Sequence, residues 1–172
     1  MAAAKRIIIC CDGTWNEPDE IATNVTKLVR AISPQSPDGV HQVVFYDQGV
    51  GTGGSIDKFI GGAFGSGLEK NVLDCYRFLT HNYQLGDELY FLGFSRGAFT
   101  ARALVGLIHS VGLIEKDGLD QLTNAYQYYR TAPDKRPASE YDDNYKPDIQ
   151  MIGVFDTVGA LGAPTRLLGK LT

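Results

Sequence analysis

The chain has 172 residues, a length that suits one domain, and we expect residues 1–172 to form a single domain. Its net charge of −4 argues against the basic surface of nucleic-acid-binding proteins, so no nucleic-acid partner is expected. It has no run of about 18 apolar residues that could span a membrane. Lys5 and Arg6 precede a short apolar run, which is too brief for a signal-peptide core. We therefore expect a cytoplasmic protein, or one exported without a cleavable signal peptide.

The cysteines are few and show no metal-ligand spacing. Cys10 and Cys11 are adjacent and should point to opposite faces of a strand, while Cys75 is remote in the sequence. Three thiols do not make a disulfide framework. We expect reduced, buried thiols, with no metal and no cofactor.

Four apolar runs predict strands, at residues 5–11, 42–46, 88–92 and 148–155. Helices are predicted between them: a short one capped by Asn24 or Thr26, then 68–83, 98–111 and 119–130, the last with exposed tyrosines. The strands are mostly continuously apolar and alternate with the helices. This pattern predicts an α/β protein with three layers and a mostly parallel sheet.

The third predicted strand runs into the sequence GFSRG at 93–97, which has the form Gly-x-Ser-x-Gly. A sharp turn between a strand and a helix is the setting in which this motif presents a nucleophilic serine. The helix N-terminus that follows can stabilise an oxyanion. A small-residue turn that packs a helix on a sheet, or a phosphate-binding turn, is the alternative. The lysine of a P-loop and the GxGxxG spacing are both missing. Ser95 is therefore the candidate nucleophile.

Asp156 ends the fourth predicted strand and follows Ser95 in the chain. Functional groups gather at the carboxyl ends of parallel strands, and an acid after the nucleophile matches the order Ser, Asp, His. Asp156 is therefore the candidate acid of a catalytic triad. An aspartate in an ordinary turn or helix cap is the alternative.

A third strand end carries Asp12, Gly13 and Thr14. The sequence resembles the Asp-x-Asp-Gly-Thr of certain phosphatases, but Cys10 occupies the position of their nucleophilic aspartate, which argues against that chemistry. In hydrolases with a serine elbow, the loop two strands earlier supplies one oxyanion N–H, and the residue after the serine supplies another. Gly13 or Thr14 and Arg96 are therefore the candidate donors, and Asp12 is expected to lie near the substrate and to order the loop.

A glycine-rich loop follows the second predicted strand. Its residues Asp47, Gly49 and Gly51 are candidates for lining the substrate site, although glycines also serve simply to let a backbone turn.

The histidine of a triad is not evident. The chain has three histidines, His41, His81 and His109, and none follows Asp156. His109 lies roughly 21 Å along its predicted helix from Ser95, at about 1.5 Å per residue. A general base must reach hydrogen-bond distance of the hydroxyl, so we expect none of the three to serve. The sheet is expected to be truncated at its C-terminal side.

Four blocks together resemble one family. They are IICCDGTWN (8–16), VVFYDQGVGTG (43–53), LYFLGFSRGAFTARALVGLI (89–108) and IGVFDTVGALG (152–162). They are similar to an uncharacterised α/β-hydrolase family that includes the catalytic domain of type VI secretion phospholipase effectors. The resemblance implies an α/β-hydrolase-like fold and serine-hydrolase chemistry on acyl esters, with lipids or phospholipids as substrates. It also implies Ser95 as nucleophile and Asp156 as triad acid.

Two functions follow from these patterns. In the first, the protein is an acyl-ester hydrolase whose histidine is not in this chain. In the second, it is a non-catalytic or truncated hydrolase-like domain that binds a ligand or a partner chain. An exposed strand edge would then pair with a second copy or with another protein.

Overall fold

The computed structural model describes residues 4–13, 22–49 and 64–157, and in this part of the chain four strands form one parallel sheet. The strands are β1 (Arg6–Cys11), β2 (Gln42–Asp47), β3 (Glu88–Phe94) and β4 (Ile149–Phe155). Their order across the sheet is β2-β1-β3-β4, with β1 and β3 in the middle. The predicted α/β fold with a parallel sheet is confirmed.

Helices cover both faces of this sheet. They are α1 (Asn24–Ala31), α2 (Phe64–Asn82), α3 (Arg96–Val111) and α4 (Leu122–Arg130), with 3-10 turns at Lys116–Gln121 and Pro133–Lys135. Helix α1 packs on one face, α2 and α3 pack on the other, and α4 packs against α3. Among the described helices, none combines the length and the apolar character needed to cross a membrane.

Strand β1 shows why the fold has two cores. Its side chains alternate between the faces, so Ile7, Ile9 and Cys11 join the larger core under α2 and α3, whereas Ile8 and Cys10 join the smaller core under α1. All five are at most 5% exposed, as expected for a central strand covered on both sides.

The register brings the carboxyl ends of the strands level with one another. Cys11, the last residue of β1, is paired with Asp47 on one side and Gly93 on the other. On the next strand, Phe94 is paired with Phe155. The residues that follow these positions therefore meet along the carboxyl edge of the sheet, the side on which all four strands end. The candidate site lies there.

Two local predictions were wrong. The side chain that caps α1 belongs to Thr23, which accepts a hydrogen bond from the Thr26 N–H at 3.0 Å, rather than to Asn24 or Thr26. The tyrosines of α4 are not exposed: Tyr126 is 1% exposed, and Tyr128 and Tyr129 are partly buried against the larger core. Helix α4 packs on α3 with these rings, an arrangement that periodicity in so short and polar a helix does not reveal.

Candidate active site

Ser95 occupies a sharp turn between β3 and α3, as the motif predicts. Its backbone angles are φ 55° and ψ −116°, a combination that non-glycine residues rarely adopt, and it stands at the N-cap position of α3 without a side-chain capping bond. Its hydroxyl is therefore not engaged in holding the helix. The turn places Ser95 at the positive end of the helix dipole.

The two glycines of the motif let the backbone pack closely around the turn. A Cβ added at Gly97 would lie 2.1 Å from the carbonyl oxygen of Cys11. One added at Gly93 would lie 2.6 Å from the backbone of Gly97 and Ala98. Any larger residue at either position would displace backbone. The first turn of α3 thus rests directly on the end of β1.

Asp156 lies next to Ser95 in the sheet's order. The two residues stand one position beyond the register pair Phe94 and Phe155, on neighbouring parallel strands. The Ser95 N–H donates a hydrogen bond to the Phe155 carbonyl at 2.9 Å, so the turn that carries the serine is tied to the strand that carries the acid. Asp156 is exposed and directly follows the last residue of β4.

Backbone strain distinguishes the same two residues. Among the described non-glycine residues, Ser95 and Asp156 are the two with positive φ, at 55° and 44°. Such conformations cost of order 1–3 kcal/mol each and cluster at active sites, where the surrounding structure enforces them. Here they coincide with the two residues that the sequence motifs single out.

Asp12 is the centre of a buried hydrogen-bond network just beneath the edge. The residue is fully buried, and its Oδ2 accepts hydrogen bonds from the hydroxyls of Thr23 (2.7 Å), Thr26 (2.9 Å) and Tyr46 (2.8 Å). Its Oδ1 accepts from the Gly13 N–H at 2.8 Å. A buried carboxylate with four donors is well compensated. The network joins the end of β1, the start of α1 and the end of β2.

This network bears on the predicted oxyanion donors. The Gly13 N–H is directed to Asp12 Oδ1, so Gly13 already has an acceptor in this structure. Thr14 lies outside the described residues. Arg96 is the first residue of α3 and directly follows Ser95, as the prediction requires, and burial lowers the pKa of its guanidinium.

The predicted substrate-lining loop is described only at its start. Asp47 ends β2, and its Oδ1 accepts a hydrogen bond from the Gly49 N–H at 3.2 Å. Burial raises the pKa of Asp47. Gly49 packs against the backbone of Asp12 and Gly13, so both loops meet at the edge. Gly51 lies outside the described residues.

The three histidines lie at the amino ends of the strands, on the side of the sheet opposite the candidate site. His41 directly precedes β2, and His81 and His109 lie in the last turns of α2 and α3. A helix that connects parallel strands runs back toward their amino ends, so its last turn lies away from the carboxyl edge. All three side chains are exposed. None of them is placed to act on Ser95.

Sequence reasoning missed the partners of Asp12. None of these partners belongs to a catalytic motif; they are Thr23, Thr26 and Tyr46. For Tyr46, the available signal was the alternation of β2 side chains between the two faces of the sheet, which predicts that it shares the α1 face with Asp12. The pair Thr23 and Thr26, spaced like a helix cap and its third residue, was the available signal for the other half of the network.

Comparisons with known proteins identify a family for this chain. Residues 5–171 match the family model described as "T6SS, Phospholipase effector Tle1-like, catalytic domain". The chain is also 30% identical, over 191 aligned residues and 94% of its length, to "Uncharacterized protein YEL023C" of Saccharomyces cerevisiae. It spans 28% of the length of that relative. No solved structure gives a significant match.

Proposed function

We propose that this chain, which belongs to the family of Tle1-like catalytic domains of type VI secretion phospholipase effectors, is a serine hydrolase of acyl esters with an α/β-hydrolase fold. The family supports a hydrolase of the phospholipase or lipase type, and a lipid ester is the proposed substrate. The family of type VI secretion effectors supports a protein that acts in the cytoplasm or after export.

The observation that carries this proposal is the pairing of Ser95 with Asp156. The two strained residues stand side by side at the carboxyl edge, where their strands end in register and a backbone hydrogen bond links their turns. A packing turn between a strand and a helix would not need strain at the neighbouring strand as well. A nucleophile and the acid that serves its base do need a fixed relation.

In the proposed mechanism, the Ser95 hydroxyl attacks the carbonyl carbon of the ester. A histidine accepts the hydroxyl proton and then passes it to the departing alcohol, while Asp156 holds that histidine in the correct tautomer and orientation. The oxyanion that forms is stabilised by the Arg96 N–H at the start of α3 and by the Thr14 N–H, because the Gly13 N–H already binds Asp12 Oδ1. Water then releases the acyl group from Ser95 by the same steps.

The histidine of this mechanism is not His41, His81 or His109, because all three lie at the far edge of the sheet. We propose that it comes from another part of the protein or from a partner chain. The segment of the yeast relative that aligns with this chain covers 28% of that protein.

The test uses the protein made from its complete gene, treated with a fluorophosphonate and analysed by intact mass. One adduct is expected on the parent protein and on Ser110→Ala, a control serine at the other end of α3, and none on Ser95→Ala. Asp156→Asn should lower phospholipid hydrolysis by about 10³–10⁴-fold while leaving the fold intact, because a misdirected histidine is a poor base. Equal labelling of parent and Ser95→Ala would refute the assignment of the nucleophile.

A second candidate function is non-catalytic binding of a partner chain, and one observation favours it. Strand β4 lies at the edge of the described sheet, and Met151, Ile152 and Val154 are each more than a third exposed. An apolar edge strand is a ready template for another β-strand. Absence of any fluorophosphonate adduct on the folded protein, together with a concentration-dependent dimer in sedimentation, would favour this function over hydrolysis.

A further inference from the structure

Three side chains with metal-binding atoms converge on the α2 side of the sheet. Cys11 is the last residue of β1, Asp47 is the last residue of β2, and Cys75 lies in the middle of α2. Their two sulfurs and one carboxylate oxygen all lie within 4.8 Å of one another. Both cysteines are fully buried. The sequence gives no sign of this cluster, because its members come from three separate elements.

The distance between the two sulfurs suits a shared metal ion. Cys11 Sγ and Cys75 Sγ are 3.9 Å apart. Two thiolates on a tetrahedral Zn²⁺, each with a bond of about 2.3 Å, would stand about 3.8 Å apart. A disulfide would require about 2.05 Å, so the sulfurs would have to approach much more closely to form one.

An independent observation concerns the carboxylate of Asp47. Its Oδ1 accepts from the Gly49 N–H, and the Asn71 side chain also stabilises its charge, yet its Oδ2 is buried and has no hydrogen-bond partner among the described residues. A buried carboxylate oxygen without a donor costs free energy that a hydrogen bond or a cation would recover. A cation bound by this carboxylate beside the two sulfurs would compensate it.

We propose that Cys11, Cys75 and Asp47 form a binding site for Zn²⁺ or a similar borderline-soft divalent ion. Two thiolates and one carboxylate are suitable zinc ligands, and a water would complete the tetrahedron. On binding, each thiol releases its proton to solvent and its sulfur donates an electron pair to the ion.

The site would tie β1, β2 and α2 together directly beneath the carboxyl edge. Cys11 is followed by Asp12, the centre of the hydrogen-bond network, and Asp47 leads into Gly49, which packs on the same loop. The ion would therefore brace both loops from the side opposite α1. This role is structural and does not depend on the proposed hydrolase activity.

Co²⁺ is the probe, because its thiolate complexes absorb strongly in the near ultraviolet and its tetrahedral complexes absorb in the visible. The reduced full protein should take up one equivalent of Co²⁺ with both absorptions, and Zn²⁺ should displace it. Cys75→Ser should lower the sulfur-to-cobalt absorption by half or more, because it removes one of the two thiolates. Cys10→Ser should retain it, because Cys10 is buried on the opposite face of the same strand. Asp47→Asn keeps both sulfurs and should weaken Co²⁺ binding by about tenfold or more, the lower end of what a lost supporting contact costs a metal site.

Three results would overturn the proposal. One is a folded parent protein that shows no thiolate–cobalt absorption. Another is equal loss of absorption in Cys10→Ser and Cys75→Ser. The last is an intact mass, without reductant, that lacks two hydrogens in the parent but not in Cys75→Ser, because the pair would then be a disulfide. Far-ultraviolet circular dichroism of Cys75→Ser and Asp47→Asn shows whether each variant is folded, and one folded variant suffices for the comparison.

Discussion

The contact between α3 and β1 at Gly97 makes a sharp quantitative prediction for Gly97→Ala. The added Cβ would stand 2.1 Å from the Cys11 carbonyl oxygen and 2.5 Å from that of Asp12. Real Cβ atoms are essentially never closer than 3.0 Å to such atoms, so the helix would have to withdraw by about 0.9 Å. Both obstacles are backbone atoms, which cannot rotate away as a side chain can.

The cost of this substitution should exceed the ordinary cost of an added methyl group. Overpacking a core costs about 1–3 kcal/mol when side chains can adjust. Because the backbone of a central strand must move here, we expect the contact to lower the free energy of unfolding by at least about 3 kcal/mol. The better helix propensity of alanine offsets at most about 1 kcal/mol of this loss. For a protein of this size, a net loss of at least about 2 kcal/mol lowers the melting temperature by at least roughly 4 °C.

The matched control is Gly106→Ala on the same helix. There the added Cβ would meet the partly buried ring of Tyr129, with the hydroxyl oxygen at 2.7 Å, so a side chain rather than backbone has to move. Both substitutions replace glycine by alanine on one helix, so comparing their urea unfolding tests the backbone contact at Gly97. We expect Gly106→Ala to lose less stability than Gly97→Ala, because a side chain adjusts more readily than the backbone of a central strand. If Gly97→Ala is as stable as Gly106→Ala, the close approach of α3 to β1 is wrong.

Three further predictions concern other parts of the fold. Ser95→Gly should be more stable than Ser95→Ala by about 1 kcal/mol or more in urea unfolding, because glycine tolerates φ 55° without strain. Tyr76→Phe should lose about 1–3 kcal/mol by the same assay, because its buried hydroxyl bonds one carbonyl at 2.7 Å and one N–H at 2.9 Å after α3. Hydrogen bonds from Ser36 and Arg6 lower the pKa of Asp38 to about 2, so the stability it contributes is present above about pH 4 and is lost as pH falls toward 2. Asp38→Asn should remove that part of the acid transition, followed by circular dichroism between pH 2 and 5.

Each of these predictions has a result that contradicts it. Equal stability of the glycine and alanine variants at position 95 would mean that the strained turn relaxes in solution. An unchanged urea midpoint for Tyr76→Phe would mean that water replaces the hydroxyl. An acid transition that is the same in the parent and in Asp38→Asn would show that this exposed carboxylate does not contribute to stability.

The sequence predicted the framework of the site because its signals are local. Buried parallel strands leave continuous apolar runs, and each run ended within two residues of the observed strand end. The turn at Ser95 followed from the spacing of Gly93 and Gly97. Asp156 was chosen as the candidate acid because it stands at the end of a predicted strand.

What the sequence did not predict depends on which elements meet in space. The bonds from Thr23, Thr26 and Tyr46 to Asp12 require that α1 and β2 both pack beside the end of β1. The cap of α1 was misplaced by one or more residues because several neighbouring polar residues can cap equally well, and tertiary contacts with Asp12 select one.

Because Asp156 follows an edge strand, the fraction of molecules in which it lies beside Ser95 depends on how often that strand opens. Ser95 lies between β3, a central strand, and α3. Asp156 follows β4, which within the described sheet is hydrogen-bonded to a neighbouring strand on one side alone. Edge strands with exposed residues open more readily than central ones, through local unfolding that leaves the rest of the domain intact. A molecule whose β4 has frayed would keep β3 and α3, but Ser95 would lose its hydrogen bond to Phe155 and the proposed acid beside it. Amide hydrogen exchange along β4 would therefore measure the fraction of time in which the two residues stand together.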